Sequence, residues 1–306
     1  MNLAVVGAAL VAVAIWGATP IATKIAVADI APLTVGMLRT GLAALLTAPL
    51  LLAYRMRPPA RSDQRALLAL VIAGSLIAFP VLFSLGVDRT SAAHAGLILA
   101  ALPIPTGLFG AAFERRLPPR LWWLGAAIAL CGEALLVGLD ARADDRVATW
   151  AGDLLVALAA LCGAAGHVAG ARLAPSFGTW PTTLWAVTIA AVLLAPVLAL
   201  RSGDFADAGA AAWGAVLFLA GGATLLAFAA WYWSLSRGGI ARMGAMQFLQ
   251  PLVTLALAAL LLAEPISAPL LGATALILLG VALTQGRHRR PQAPDAASAA
   301  ARQRRS

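Results

Sequence analysis

The sequence predicts an all-α integral membrane protein of about ten transmembrane helices, built as two inverted five-helix repeats. Three observations predict it. First, of 306 residues 61% are hydrophobic and 11% charged, with a mean hydropathy of +0.89. A soluble domain carries roughly 25% charged residues, so this chain lacks the charge to cover a water-facing surface. Second, apolar runs of about 20 residues, the length that crosses a bilayer as a helix, recur from end to end. Third, the chain repeats itself at an offset of about 147 residues.

The predicted spans of the first half are 3–24, 33–53, 66–87, 91–113 and 121–139. Those of the second are 151–171, 180–200, 210–235, 240–263 and 266–285. Met1 leads straight into the first run, with no basic n-region and no small-residue cleavage signal, so 3–24 reads as a retained span. The gaps are short and carry Arg and Pro, as in Arg55-Met56-Arg57-Pro58-Pro59 and Arg115-Arg116-Leu117-Pro118-Pro119. Barrel strands would be about ten residues long with alternating polarity, and these runs are longer and continuously apolar. The resulting organisation is a first repeat over 1–140, an external connecting loop over 141–150, a second repeat over 151–285, and a disordered basic cytoplasmic tail over 286–306.

Charge sets the orientation. With ten spans, one set of loops and the tail hold 16 Lys and Arg, and the other set holds 5: Lys24, Arg89, Arg142, Arg146 and Arg201. The positive-inside rule places the richer set, and both termini, in the cytoplasm. The net charge of +9 therefore follows loop placement, and no recognition motif accompanies it, which excludes nucleic acid as a partner. Cys131 and Cys162 fall inside apolar runs and read as small buried hydrophobes.

The repeat is carried by spacing. Ala93, Gly96 and Pro103 match Ala241, Gly244 and Pro251, and Thr47-Ala48-Pro49-Leu50 parallels Leu194-Ala195-Pro196-Val197. Leu124-Gly125-Ala126 parallels Leu271-Gly272-Ala273, and Gly132 parallels Gly280. Five spans per half is an odd number, so the second half crosses the membrane in the opposite sense. Solute sites in such proteins form where the repeats meet.

At this point the residues resemble those of EamA-type members of the drug/metabolite transporter superfamily. Trp16-Gly17 followed by Lys24 is similar to that family's opening motif, and Arg39 matches its second-span arginine. Pro103 with Glu114, and Pro251 with Glu264, resemble a segment that recurs in each family repeat, although the first pair is two residues closer together. The resemblance covers about residues 3–285. It implies ten helices, inverted repeats and export of metabolites, amino acids or drugs. Glu133 departs from the family pattern, standing where the second repeat has Val281.

Ionisable groups inside a span cost roughly 2.5–3.5 kcal/mol to insert, so the few present are candidates. Glu133, in the fifth span, could carry a coupling proton or act as a structural acid paired with Arg39. Arg39 could hold a carboxylate or phosphate in a cavity, or snorkel to the interface. His167, flanked by Gly166 and Gly170, could be a cavity ligand or bond a backbone carbonyl. Gln247, Gln250, Pro251 and Thr254 share a face by helical spacing and could bind solute without charge. Trp16 and Thr19 of the first span, with Trp231 and Tyr232 of the eighth, could line the same cavity. Thr224, Phe228 and Leu235 share the Trp231 face. Trp231-Tyr232-Trp233 also fits an interfacial aromatic belt. Lys24 and His94 read as interfacial.

The function expected is that of a secondary transporter exporting small organic solutes across a bacterial inner membrane by alternating access, with proton coupling through Glu133. The alternative is an intramembrane enzyme or lipid-handling protein. No phosphate-binding loop, His-Glu-x-x-His pair or Gly-x-Ser-x-Gly elbow is present. No cofactor or metal is expected. The expected partners are a small-molecule substrate and the lipid bilayer, and the sequence leaves the oligomeric state open.

Overall fold

The computed structural model describes residues 2–90, 95, 98, 99, 101–115, 117–140, 150–250, 252, 253, 256, 257 and 268–284, the side chains of 133, 136–140, 268–271, 273 and 274 excepted. Among the described residues the chain is helical and contains no strand. Six helices are long and apolar enough to cross a membrane: Leu3–Asp29, Pro32–Ala53, Ser62–Arg89, Trp150–Phe177, Thr179–Leu200 and Ala210–Gly238. Arg120–Gly132 and Ala275–Thr284 are shorter apolar helices. This is a multi-pass membrane protein, with leucines such as Leu45, Leu193 and Leu217 facing outward, where lipid solvates them.

Three of the six long helices are interrupted, each for a local reason. α1 (Leu3–Gly17) opens on Asn2, whose side chain accepts from the Ala4 N–H. It breaks from α2 (Thr19–Asp29) at Ala18. Pro20 has no N–H to give the carbonyl of Trp16, so the ladder loses a rung there. α3 (Pro32–Ala53) starts on a proline, as first turns tolerate. α4 (Ser62–Val71) passes through a π-helical segment, Ile72–Ala78, into α5 (Phe79–Arg89). α6 is Pro103–Glu114 and α7 is Arg120–Asp140.

In the second half, α8 (Trp150–Phe177) and α9 (Thr179–Leu200) are continuous. α10 (Ala210–Leu217) passes through a second π-helical segment, Phe218–Leu226, into α11 (Ala227–Gly238). α12 (Ile240–Gly244) tightens into a 3-10 turn, Ala245–Leu249, and α13 is Ala268–Thr284. Most of the described spans agree with expectation to within a few residues, but the sixth runs on to Phe177. Arg172, expected in a cytoplasmic loop, lies inside α8 with its guanidinium 5.9 Å from the Phe113 ring. An aromatic face receives the cation there. Cys131 is exposed and Cys162 only partly buried, contrary to the expectation of buried sulfur; both are free thiols.

Packing follows the repeat. α3 packs on α9, α6 on α12 and α7 on α13, while α5 packs on α8 and α1 on α11. Exchanging the two halves maps the first three pairings onto themselves and the last two onto each other. The α7–α13 seam is set by glycine: a Cβ on Gly125 would stand 2.6 Å from the Gly280 carbonyl oxygen, and one on Gly280 would stand 2.6 Å from that of Gly125. Backbones approach this closely only where side chains are absent.

The two ends of the bundle differ. At the end carrying few cations, Thr34 Oγ1 donates to Asp204 Oδ2 at 2.6 Å and Arg201 pairs with the same carboxylate at 3.0 Å. The Gly209 N–H donates to Asp29 at 3.1 Å, and Thr90 to Asp153 at 2.5 Å. At the cation-rich end a cavity of about 640 Å³ opens between Asn2, Glu114, Arg237 and Arg242.

Candidate functional site

The break between α1 and α2, the middle of α3 and the second π segment meet at the centre of the bundle. Trp16 sits one residue before the break, and its Nε1–H donates to the Ala223 carbonyl at 2.9 Å. Its ring lies parallel to that of His167 on α8, with centroids 5.2 Å apart and planes 9° apart. Phe228 and Trp231 of α11 present their edges to Trp16, each at 5.3 Å. Such offset and edge-on arrangements are the ones the aromatic quadrupole favours.

Arg39 comes from α3 and is 2% exposed. It does not snorkel. Its Nε donates to Thr224 Oγ1 at 3.1 Å, and among the described residues no carboxylate pairs with it. A buried guanidinium has five donors and cannot shed its proton, so it stands as a fixed positive charge with hydrogen bonds left to give.

A small cavity of about 30 Å³ lies between these groups, lined by Trp16, Thr19, Arg39, His167, Gln247 and Gln250 among others. That volume holds a water molecule and no organic solute, so the walls must separate before anything larger is accommodated. Three of its lining side chains keep a buried polar atom without a partner among the described residues: Thr19 Oγ1, His167 Nδ1 and Gln247 Oε1. A buried polar group left unmatched costs about 1–3 kcal/mol, and several around one cavity mark a place where a ligand completes them. His167 is thus not satisfied by a backbone carbonyl, one of the two roles open to it.

The structure brings together seven of the residues singled out from sequence, Phe228 among them, and sets two aromatic ones apart. Trp231 and Tyr232 are 0% and 1% exposed, so they form no interfacial belt. Neither lines the cavity. Trp231 stands behind Trp16 and His167, and Tyr232 packs on Phe228, with ring centroids 5.5 Å apart. They buttress the site because the rings of Trp16, His167 and Phe228, on which they pack, already occupy its wall. Glu133 lies on α7, and its side chain is outside the described residues, as are His94, Pro251 and Thr254. Lys24 is exposed in the middle of α2 and reaches the Val87 carbonyl at 3.3 Å.

Sequence reasoning missed Phe79, Leu99 and Leu102, which also line the cavity. An apolar residue in an apolar run gives no signal. Among the described residues no cluster of three or more His, Cys, Asp or Glu could hold a metal ion.

Residues 3–138 and 150–285 each match the model of the EamA-like transporter family. The chain belongs to that family. It is 30% identical over 262 residues to the uncharacterized transporter YdeK of Bacillus subtilis (strain 168), covering 85% of this chain and 90% of that protein. It is 29% identical over 246 residues to a probable terminal-alkyne amino-acid exporter of Streptantibioticus cattleyicolor, covering 78% and 80%. A crystal structure 22% identical in sequence superposes with a TM-score of 0.74 over 95% of this chain and 98% of that one, a likeness of fold. EamA-like membership makes this chain a transporter, and the two matched blocks coincide with the two sets of helices that pair across the bundle. The cavity between Trp16, Arg39, His167 and Gln247 lies where those sets meet.

Proposed function

We propose that this EamA-like chain is a secondary exporter of small organic carboxylates, amino acids among them, working by alternating access between two inverted five-helix repeats. The repeats span 1–140 and 151–285, the external loop is 141–150, and 286–306 is a cytoplasmic tail. The membrane is a bacterial inner membrane, and both termini face the cytoplasm. One observation carries the reading: Arg39, buried in the central cavity with no carboxylate partner among the described residues. A fixed buried cation attracts a carboxylate and disfavours a solute whose only charge is an ammonium. The name of the Streptantibioticus relative, an amino-acid exporter, supports the same class.

Arg39 takes the carboxylate. Gln247, Gln250, Thr19 and His167 supply uncharged hydrogen bonds, and the rings of Trp16 and Phe228 receive the apolar body. The latched end and the open end of the bundle support a direction: solute enters from the cation-rich side through the larger cavity and leaves when Asp204 and its partners release. Glu133 carries the coupling proton.

Three solutes with one skeleton test this. L-leucine carries both charges, 4-methylpentanoate only the carboxylate, and isopentylamine only the ammonium. Preloaded vesicles bearing the protein are expected to release the first two and retain the third. Arg39→Gln is expected to abolish the difference. Release of isopentylamine alone, or of none of the three above protein-free vesicles, would overturn the reading.

A further inference from the structure

In each half one long helix leaves α geometry in mid-membrane. Ile72–Ala78 and Phe218–Leu226 are π-helical, ending on bonds from the Phe79 N–H to the Gly74 carbonyl and from the Ala227 N–H to the Gly222 carbonyl. The two segments correspond at the repeat offset. A helix returning from π to α register leaves a carbonyl without a donor from its own helix. In the first segment proline adds to this, because Pro80 has no N–H for the carbonyl four residues before it, that of Leu76.

Each segment hands one carbonyl to a side chain from another helix. Thr40 Oγ1 donates to the Leu76 carbonyl at 2.9 Å, and Trp16 Nε1 donates to the Ala223 carbonyl at 2.9 Å. Leu76 and Ala223 are 147 residues apart, the repeat offset itself. The donors are not related by the repeat, since Thr40 and Trp16 both come from the first half. The carbonyls are therefore matched by register, while the groups that hold them are particular to this arrangement.

Arg39 and Thr40 are consecutive on α3. Arg39 gives its Nε–H to Thr224, the residue after Ala223, so it holds the second π segment; Thr40 holds the first. One turn of α3 thus ties the binding guanidinium to both irregular segments. Sliding a π segment by one residue shifts the residue it passes by about 1.5 Å and turns its side chain by about 100°. That is enough to open or close a wall of the central cavity.

We propose that Thr40 is a positioning residue for transport: its hydroxyl locks the first π segment to α3, so that both π segments shift register together when Arg39 moves with bound solute. Thr40 is fully buried and does not line the cavity, so it acts through Leu76 and never through the solute. The inference rests on the reading of Arg39 as the solute anchor, but its first test needs no solute.

Hydrogen exchange is measured on the full-length protein in lipid nanodiscs, for the parent, Thr40→Val and Thr40→Ser. In Thr40→Val the amides of 72–82 are expected to exchange at least ~10-fold faster, and those of 218–228 to follow although Thr40 does not touch them. Thr40→Ser restores both rates. Trp16→Phe, which removes the donor to Ala223, is expected to accelerate exchange reciprocally in 72–82. Acceleration confined to the segment that lost its donor would reduce Thr40 to a local structural bond and overturn the proposal. The second readout uses L-leucine as probe. Thr40→Val is expected to keep its dissociation constant within ~2-fold and lower its release rate ~10-fold. If the parent does not carry L-leucine, the solute assignment fails and the exchange result still decides the role of Thr40.

Discussion

The imidazole of His167 lies parallel to the indole of Trp16, their centroids 5.2 Å apart, while its Nδ1 has no partner among the described residues. One ring face is occupied and one polar edge has no partner among the described residues, which separates the packing role of this residue from the binding role proposed for it. His167→Phe keeps the stack and removes the nitrogen. The variant is expected to unfold thermally at the parent's temperature but to bind L-leucine up to about 10-fold more weakly, the worth of one hydrogen bond. Calorimetry and scanning fluorimetry on the same preparation check this. A parallel loss of stability and affinity would make His167 a packing residue.

Glu133→Gln keeps the shape of the side chain and removes its titration. The expected outcome is loss of uphill transport with exchange retained, and a flattened dependence on pH. Counterflow and pH-jump assays in the same vesicles distinguish the two. Equal pH-dependent uphill transport in variant and parent would remove Glu133 from coupling.

At the latched end, the hydrogen bond from the Thr34 hydroxyl is the largest influence holding the Asp204 carboxyl below its usual value of 3.8; burial opposes it, and Arg201 adds to the lowering. A carboxylate stabilised in the folded state strengthens the latch at neutral pH. That contribution is lost as pH falls below the ordinary aspartate range and the group takes a proton. The distance between spin labels placed at Ala31 and Ala206 is expected to be constant from pH 8 to about 5 and to lengthen only in stronger acid. Asp204→Asn is expected to give the longer distance at every pH.

A methyl group at Gly280 would stand 2.5 Å from the Ala129 amide nitrogen and 2.6 Å from the Gly125 carbonyl oxygen. Both are backbone atoms and cannot turn away. Gly280→Ala is expected to cost about 1–3 kcal/mol of stability, typical of overpacking. Gly272→Ala meets nothing within 4 Å and serves as the neutral control in the same unfolding series.

Impermeant thiol reagents give the test of orientation. A single cysteine in 286–306 is expected to react in everted vesicles and not in intact cells.

Much of this architecture was legible because lipid imposes a strict rule on composition. The length and apolar composition of Thr179–Leu200 leave little alternative to a membrane helix. The central site was legible at Arg39, His167 and Gln247, where a polar atom in an apolar run has to be accounted for. It was not legible at Trp231 and Tyr232, since an aromatic triplet near a helix end reads equally as belt or buttress until its neighbours are known. The π segments were hidden too. Their cause is the hydrogen-bond register between residues five apart, and no single residue type announces it; Pro80 hints at one, and nothing comparable marks the other. The end of the sixth span was not legible either, because a helix can continue past its apolar run, as this one does to Phe177.

The seam between α7 and α13 has a mechanical consequence. Where Gly125 and Gly280 meet, backbone rests on backbone, with no layer of flexible side chains to shear. Sliding by a helical turn would drive Ala129 and Thr284 into the opposite chain, leaving rolling about the contact as the low-cost motion. The outward faces of the same two helices carry Leu121, Trp123, Leu124, Leu276, Leu278 and Leu279 against lipid. The pair is therefore expected to act as a keel, one rigid unit held against lipid while the rest of the bundle rocks.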